Sequence, residues 1–237
     1  LRKNKTMQSD SKYAIPTSEA LGSHIHNQVL RNTYLMLALT MIPTMLGSAV
    51  GINTDFLFLA QSPIMGSLAM LAAMIGLMFA VSAARNSIWG VILLFLFTFV
   101  AGWWLGPLLQ HALQFKNGAQ LIGLAAAGTG IIFFTLASVV TVTRKDFGFL
   151  RNFLLAGLIL VILASLVNLF LAIPAVSLVI SAAAVLVFSG FILFDVSRII
   201  NGGETNYVMA TLGIYLSLYN IFISLIQLLL ALLGERD

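Results

Sequence analysis

The stretch FSGFILFDVSRIINGGETNYVMATLGIYLSLYNIFISLIQ, residues Phe188 to Gln227, decides the reading of this chain. Two apolar helical runs flank a short polar hinge that carries Asp195, Arg198 and Glu204. Within the second run Gly213, Ser217, Asn220, Ser224 and Gln227 recur at steps of four, three, four and three, which gathers them on one helix face. A polar face in hydrocarbon must turn towards other protein, because an unpaired polar group has no water to bond there. The stripe is therefore expected to face inward and to hydrogen-bond across a helical bundle.

The rest of the chain supplies that bundle. Of 237 residues 60% are hydrophobic and only 8% charged, far below the roughly 25% charged of soluble proteins, so the chain reads as a polytopic membrane protein. Spanning a hydrocarbon core of about 30 Å takes roughly 20 helical residues. Windows of that length lie at about 30–51, 64–84, 88–109, 120–142, 153–171, 175–195 and 207–233, which makes seven spans. Pro43 falls inside the first and is expected to kink it. Trp89, Trp103 and Trp104 lie towards the two ends of the third, as interface anchors do. The fourth holds Gly123, Ala125, Ala126, Ala127, Gly128 and Gly130, small residues that permit close helix approach.

Residues 1–28 are polar, carry Arg2, Lys3, Lys5, Asp10, Lys12 and Glu19, and read as a flexible tail ahead of a transmembrane domain spanning 29–237. They do not resemble a cleaved signal peptide, and Met7 is a candidate initiator. Counted on alternate sides of seven spans, Lys and Arg fall ten against two. One side has Arg2, Lys3, Lys5, Lys12, Arg31, Arg85, Arg144, Lys145, Arg151 and Arg198, and the other has Lys116 and Arg236. That asymmetry predicts a cytoplasmic N-terminus and an outward C-terminus. The same bias accounts for the net charge of +4 without a nucleic-acid partner.

Catalytic chemistry finds little support, and the chain reads as a non-enzyme. With no cysteine there is no disulfide, thiolate metal site or cysteine nucleophile. His24, His26 and His111 lie outside the spans or at their ends, which deprives an intramembrane serine of a base. No H-E-x-x-H pair occurs, and the His24/His26 pair reads as solvated rather than metal-binding. The last span has no lysine for a retinal Schiff base. No cofactor or metal is implied. Asp195 remains, a carboxylate at the edge of a span. It is either a functional ionisable group or an interfacial aspartate paired with Arg198 three residues on.

The hinge FDVSRIINGGETNY and the following ATLGIYLSLYNIF resemble the signature of the Bax inhibitor-1 (TMBIM, UPF0005) family, and most of all its YccA-type bacterial branch, the modulators of the FtsH protease. VLRNTY (Val29 to Tyr34), LGP (Leu105 to Pro107) and TRKDFGFL (Thr143 to Leu150) agree in register, so the resemblance covers nearly the whole chain. It implies an all-α fold with the last of seven helices central and surrounded by the other six. It implies an inner-membrane protein that restrains FtsH as a competing substrate, with the FtsH complex and the lipid bilayer as partners. The turn Asn201, Gly202, Gly203 and Glu204 belongs to the shared core; on its own it reads as a Gly-rich connection with an acid favoured at a helix start.

The alternative implied by the family is a Ca²⁺ or proton leak with Asp195 at its cytoplasmic gate and Arg198 beside it. In leak members an aspartate similar to Asp195 is half of a pH-sensing pair whose partner lies in a YLD motif. Here the motif reads Tyr215, Leu216, Ser217, so the partner carboxylate is absent. A coupled pair needs two carboxyls, and any Ca²⁺ flux is expected to be weak and to lack that gate.

Overall fold

A computed structural model describes residues 18–57 and 61–235, with side chains from Asn27 onward. Eight α-helices follow one another among the described residues: α1 Ser18–Ile52, α2 Pro63–Ala84, α3 Ile88–Trp104, α4 Gly106–Ala112, α5 Gly118–Thr143, α6 Arg151–Leu171, α7 Pro174–Ile200 and α8 Tyr207–Leu233. A 3-10 turn, Gly148–Leu150, leads into α6. Seven segments are long and apolar enough to cross a membrane, close to the windows read from the sequence. The third is a broken span, with Ile88–Ala112 divided at Leu105 because Gly106 and Pro107 restart the helix as α4.

One boundary moves. α1 begins at Ser18, so residues 18–28 of the stretch expected as a tail are helical. Residues 1–17 lie outside the described residues, as do the side chains of His24 and His26.

The last helix buries more residues than any other described helix. From Tyr207 to Ile226 no side chain of α8 is exposed. Packing stops short of a complete surround: α8 lies against α1, α2, α3, α5 and α7, whereas α6 packs on α7 and the 3-10 turn. In α6 only Leu154 and Asn168 are buried, while Phe153, Leu160 and Phe170 are about 70% exposed, as lipid-facing residues would be. The opposite end of α8 is latched by Asn117. Its Nδ2 donates to Leu233 O at 2.7 Å and its Oδ1 accepts from Glu235 N at 3.1 Å.

Close helix approach occurs away from the small-residue run expected to provide it. Nothing lies within 4 Å of where a Cβ would sit on Gly123 or Gly130, and Gly128 meets only the Leu225 side chain. The backbones that touch belong to α1 and α3–α4. A Cβ on Gly47 would collide with Phe99 O, one on Gly51 with Trp103 O, one on Gly102 with Thr44 O and one on Gly106 with Gly51 O. Gly47 and Gly51, like Gly102 and Gly106, are four apart, so each helix shows the other a small-x-x-x-small face. Gln110 of α4 completes this junction, its Nε2 donating to Gly51 O, Ile52 O and Thr54 O at 3.2, 2.9 and 2.9 Å. Gly51 and Ile52 end α1, where carbonyls lack a following helical turn, and Gly51 O also accepts from Thr54 N at 3.2 Å.

The polar stripe of α8 does less across the bundle than its spacing implied. Ser217 Oγ and Asn220 Nδ2 donate back to Gly213 O and Leu216 O in their own helix at 3.2 and 2.8 Å. Of the stripe, Gln227 reaches another helix, its Oε1 accepting from Ser181 Oγ of α7 at 2.7 Å; Ser224 is buried. Serine and asparagine in a helix satisfy themselves on the preceding turn when the neighbouring surface is apolar.

The longer hydroxyls of the adjacent face make the crossings instead. Thr211, Tyr215 and Tyr219 recur every four residues. Thr211 Oγ1 lies 3.4 Å from Thr33 O, Tyr215 Oη 2.9 Å from Thr44 Oγ1 and 3.4 Å from Thr98 O, and Tyr219 Oη donates to Ala101 O at 3.0 Å. Tyr215→Phe is expected to destabilise the bundle by about 1 kcal/mol, the usual worth of a hydrogen bond between membrane helices. Ser217→Ala, which removes only a bond within α8, should cost clearly less. Reversible unfolding in detergent compares the two, and equal losses would contradict this division of labour.

Candidate functional site at the basic end of the bundle

Most of the described cations meet at one end of the molecule, where α1 begins and where α2, α5 and α7 finish. Arg85, Arg144, Lys145 and Arg198 all lie in the connections or last turns there. α7 stops because the chain reverses at Gly202, whose φ of 77° is costly for a residue with a Cβ. Gly203 N and Glu204 N then donate to Arg198 O at 2.7 and 3.1 Å, closing the helix end.

α8 starts at a different residue from the one its sequence suggested. Glu204 is not in its first turn; Asn206 caps it, Oδ1 accepting from Val208 N and Met209 N at 3.0 and 3.1 Å. Asn206 also reaches sideways. Its Nδ2 donates to Arg85 O and Asn86 Oδ1 at 3.0 and 2.9 Å, fastening the α7–α8 turn to the α2–α3 turn.

Glu204 has another task. Its Oε2 lies 3.3 Å from Arg198 Nη2, which also donates to Gly203 O at 3.2 Å, and its Oε1 accepts from Asn206 N at 3.0 Å. The Arg198 guanidinium rests over the Phe194 ring, 5.5 Å from its centroid. The arginine side chain is 41% exposed, so this ion pair orders the turn more than it stabilises it. The pairing of Arg198 with Asp195 expected from their spacing does not form, because the turn brings Glu204 to the guanidinium instead.

Asp195 points into the seam between α7 and α8. A Cβ on Gly213 would sit 3.1 Å from Asp195 Oδ2, so the absent side chain at Gly213 makes room for the carboxylate. Half-buried there, Asp195 accepts no hydrogen bond among the described residues. Arg198 and Glu204 both act on it electrostatically. Glu204 is already engaged, and Ser217, one turn deeper in α8, donates to Gly213 O. The site thus holds one free carboxylate beside a closed arginine–glutamate pair, which is not the two-carboxylate arrangement of a proton switch.

Ser197, which carried no sequence signal of its own, joins the remaining pieces. It is 1% exposed. Its Oγ accepts from Phe147 N at 2.9 Å and from Asn201 Nδ2 at 3.2 Å, and lies 3.3 Å from Lys145 O. The TRKDFGFL segment is thereby pinned to the end of α7. VLRNTY is drawn in through Thr33, whose carbonyl meets Thr211. The LGP segment stands apart, at the α3–α4 break near the opposite end. No group of three or more histidine, cysteine or acidic residues able to hold a metal occurs among the described residues.

Three of the four separated peptides therefore converge on one end of the bundle, joined mainly by hydrogen bonds to main-chain atoms. The chain as a whole is similar to known proteins. A family model described as "Inhibitor of apoptosis-promoting Bax1" matches residues 26–234. An uncharacterized membrane protein of Vibrio cholerae is 42% identical over 207 residues, 86% of this chain and 89% of its own. The Escherichia coli K12 protein named Modulator of FtsH protease YccA is 42% identical over 203 residues, 86% of this chain and 90% of that one. A protein of Escherichia coli O6:H1 named Inner membrane protein YccA matches to the same extent, 42% over 203 residues, with 86% and 90% covered. With a model match across nearly all its spans and relatives aligned almost end to end, this chain belongs to the Bax inhibitor-1 family.

Proposed function

We propose that this protein is a multi-pass inner-membrane modulator of the FtsH protease. The observation that carries this reading is its 42% identity, over 86% of its length, to a protein named for that role. The name of a second relative supports the inner membrane as its place. In this reading the basic end is cytoplasmic, because Lys and Arg are retained on that side. An ATP-driven protease must engage an unfolded end, and in this reading it takes the stretch of sequence ahead of α1. The bundle behind the tail would then resist extraction. Its α1–α3 backbone contacts and the hydroxyl bonds of α8 would have to break inside lipid, where no water replaces them.

The test is the half-life of an established FtsH membrane substrate in cells expressing this protein, either whole or lacking residues 7–17. The whole protein is expected to lengthen the half-life and the shortened one to leave it unchanged. A shortened protein that protects equally well would remove the tail from the mechanism. If neither form changes the half-life, the protease reading falls, and Ca²⁺ flux through liposomes carrying wild type or Asp195→Asn becomes the decisive measurement.

A further inference from the structure

We propose that the cleft between α1 and α5 binds one anionic phospholipid, its head at the basic end of the bundle and an acyl chain lying along α8. The two helices splay apart over the last helix and leave a space of about 880 Å³. Met41 and Met45 of α1 and Phe133 and Phe134 of α5 form its walls, and Tyr219 and Phe222 its floor. Met45 is 61% and Phe134 70% exposed, so the cleft opens sideways, as entry from a bilayer requires.

Its polar end singles out the occupant. Tyr34 lines this cleft, and its Oη is the one buried side-chain N or O atom among the described residues without a well-formed hydrogen bond. Thr141 of α5, whose own proton goes to Ala137 O at 2.7 Å, is the neighbouring side-chain acceptor, and no well-formed bond joins the two hydroxyls. A buried hydroxyl at membrane depth calls for an acceptor, and a phospholipid ester or phosphate oxygen is one.

Cations stand at the same end. Arg31 is one turn before Tyr34 on α1, and Arg144 terminates α5 directly after the wall residues Thr141 and Val142. Both are exposed and neither forms an ion pair with a described residue. The nearby Asp146 forms no ion pair with a described residue; its Oδ1 accepts from Gly148 N at 2.7 Å. Two arginines beside an unused hydroxyl favour a phosphate carrying net negative charge over a zwitterionic head.

Length suits an acyl chain. From Tyr34 to Ser48 the cleft follows α1 for about 20 Å, at least the roughly 15 Å depth of one leaflet.

Purified full-length protein in detergent, titrated with phosphatidylglycerol or phosphatidylcholine and followed by native mass spectrometry and thermal unfolding, tests the proposal. Phosphatidylglycerol is expected to bind saturably and to raise the unfolding midpoint, and phosphatidylcholine to do neither. Arg31→Gln with Arg144→Gln should weaken phosphatidylglycerol by about tenfold. Tyr34→Phe should weaken it too, while leaving the lipid-free midpoint unchanged or higher, since an unpaired hydroxyl is removed. Equal binding of both lipids, or binding indifferent to all three substitutions, would overturn the proposal. The chain has no cysteine, so Met45→Cys carries a photoactivatable label at a single site. Labelling of lipid in membranes supports the proposal, and labelling of a protein in its place would overturn it.

Discussion

Gly102→Val is expected to unfold this protein more readily than Gly123→Val or Gly130→Val in α5. On Gly102 the added carbons meet Thr44 O and Thr44 Cα, and on Gly47 they meet Phe99 O and Trp103 N. All four are main-chain atoms of a helix, which cannot swing aside as a side-chain tip can. The two helices must separate, and with them go the Gln110 bonds to the end of α1 and the bond from Tyr215 to Thr44. Overpacking a well-filled core usually costs about 1–3 kcal/mol, and an immovable backbone puts Gly102→Val and Gly47→Val at or above the top of that range. A loss of that size lowers the unfolding midpoint by roughly 10 °C in a domain of this length. Gly123→Val and Gly130→Val add their methyls to open space, and because valine is a slightly better helix former than glycine they should change stability by less than about 1 kcal/mol. The four variants are compared by thermal unfolding in one detergent. If α5 proves as sensitive as α1 and α3, the backbone contact is not what holds the first half of the bundle.

Asn206→Ala is the second large effect. The substitution removes a helix cap, worth about 1 kcal/mol and up to 2. It also removes the only side chain that ties the α7–α8 turn to Arg85 and Asn86 among the described hydrogen bonds. The bridge is exposed to water, so its share is smaller, and about 2 kcal/mol in total is expected. Asn206→Asp separates the parts. It keeps an oxygen for Val208 N and Met209 N and places negative charge at a helix start, which is favourable. It turns two donors into acceptors that face Arg85 O and Asn86 Oδ1. Roughly half the loss should therefore return. Amide exchange at Val208 and Met209 should rise in Asn206→Ala and stay low in Asn206→Asp, while both variants free the α2–α3 turn. An aspartate variant indistinguishable from wild type would mean that the bridge contributes nothing.

The spans were legible from the sequence because hydrocarbon imposes a length: about 20 apolar residues with every backbone group bonded internally leave few readings open. The basic end was legible for a related reason, since charge is retained on one side of a membrane and the loops alternate. The turn at Asn201 to Glu204 announced itself through two adjacent glycines, one of which adopts positive φ.

Pairing was another matter. Arg198 has acids three residues before it and six after it, and spacing along a helix favours Asp195. Only the reversal of the chain at Gly202 brings Glu204 back to the guanidinium, leaving Asp195 to Gly213. The short side chains of the α8 stripe bond to their own helix, and the tyrosines one face over reach the neighbours. The α5 glycines looked like the packing surface by number, while the real contact uses four glycines divided between α1 and α3–α4. Composition and periodicity are local quantities, and they determined which segments span, where they turn and which end is basic. Which helix a polar group meets, and which glycine faces a backbone, depend on how helices far apart in sequence come together, and only the tertiary structure decided those.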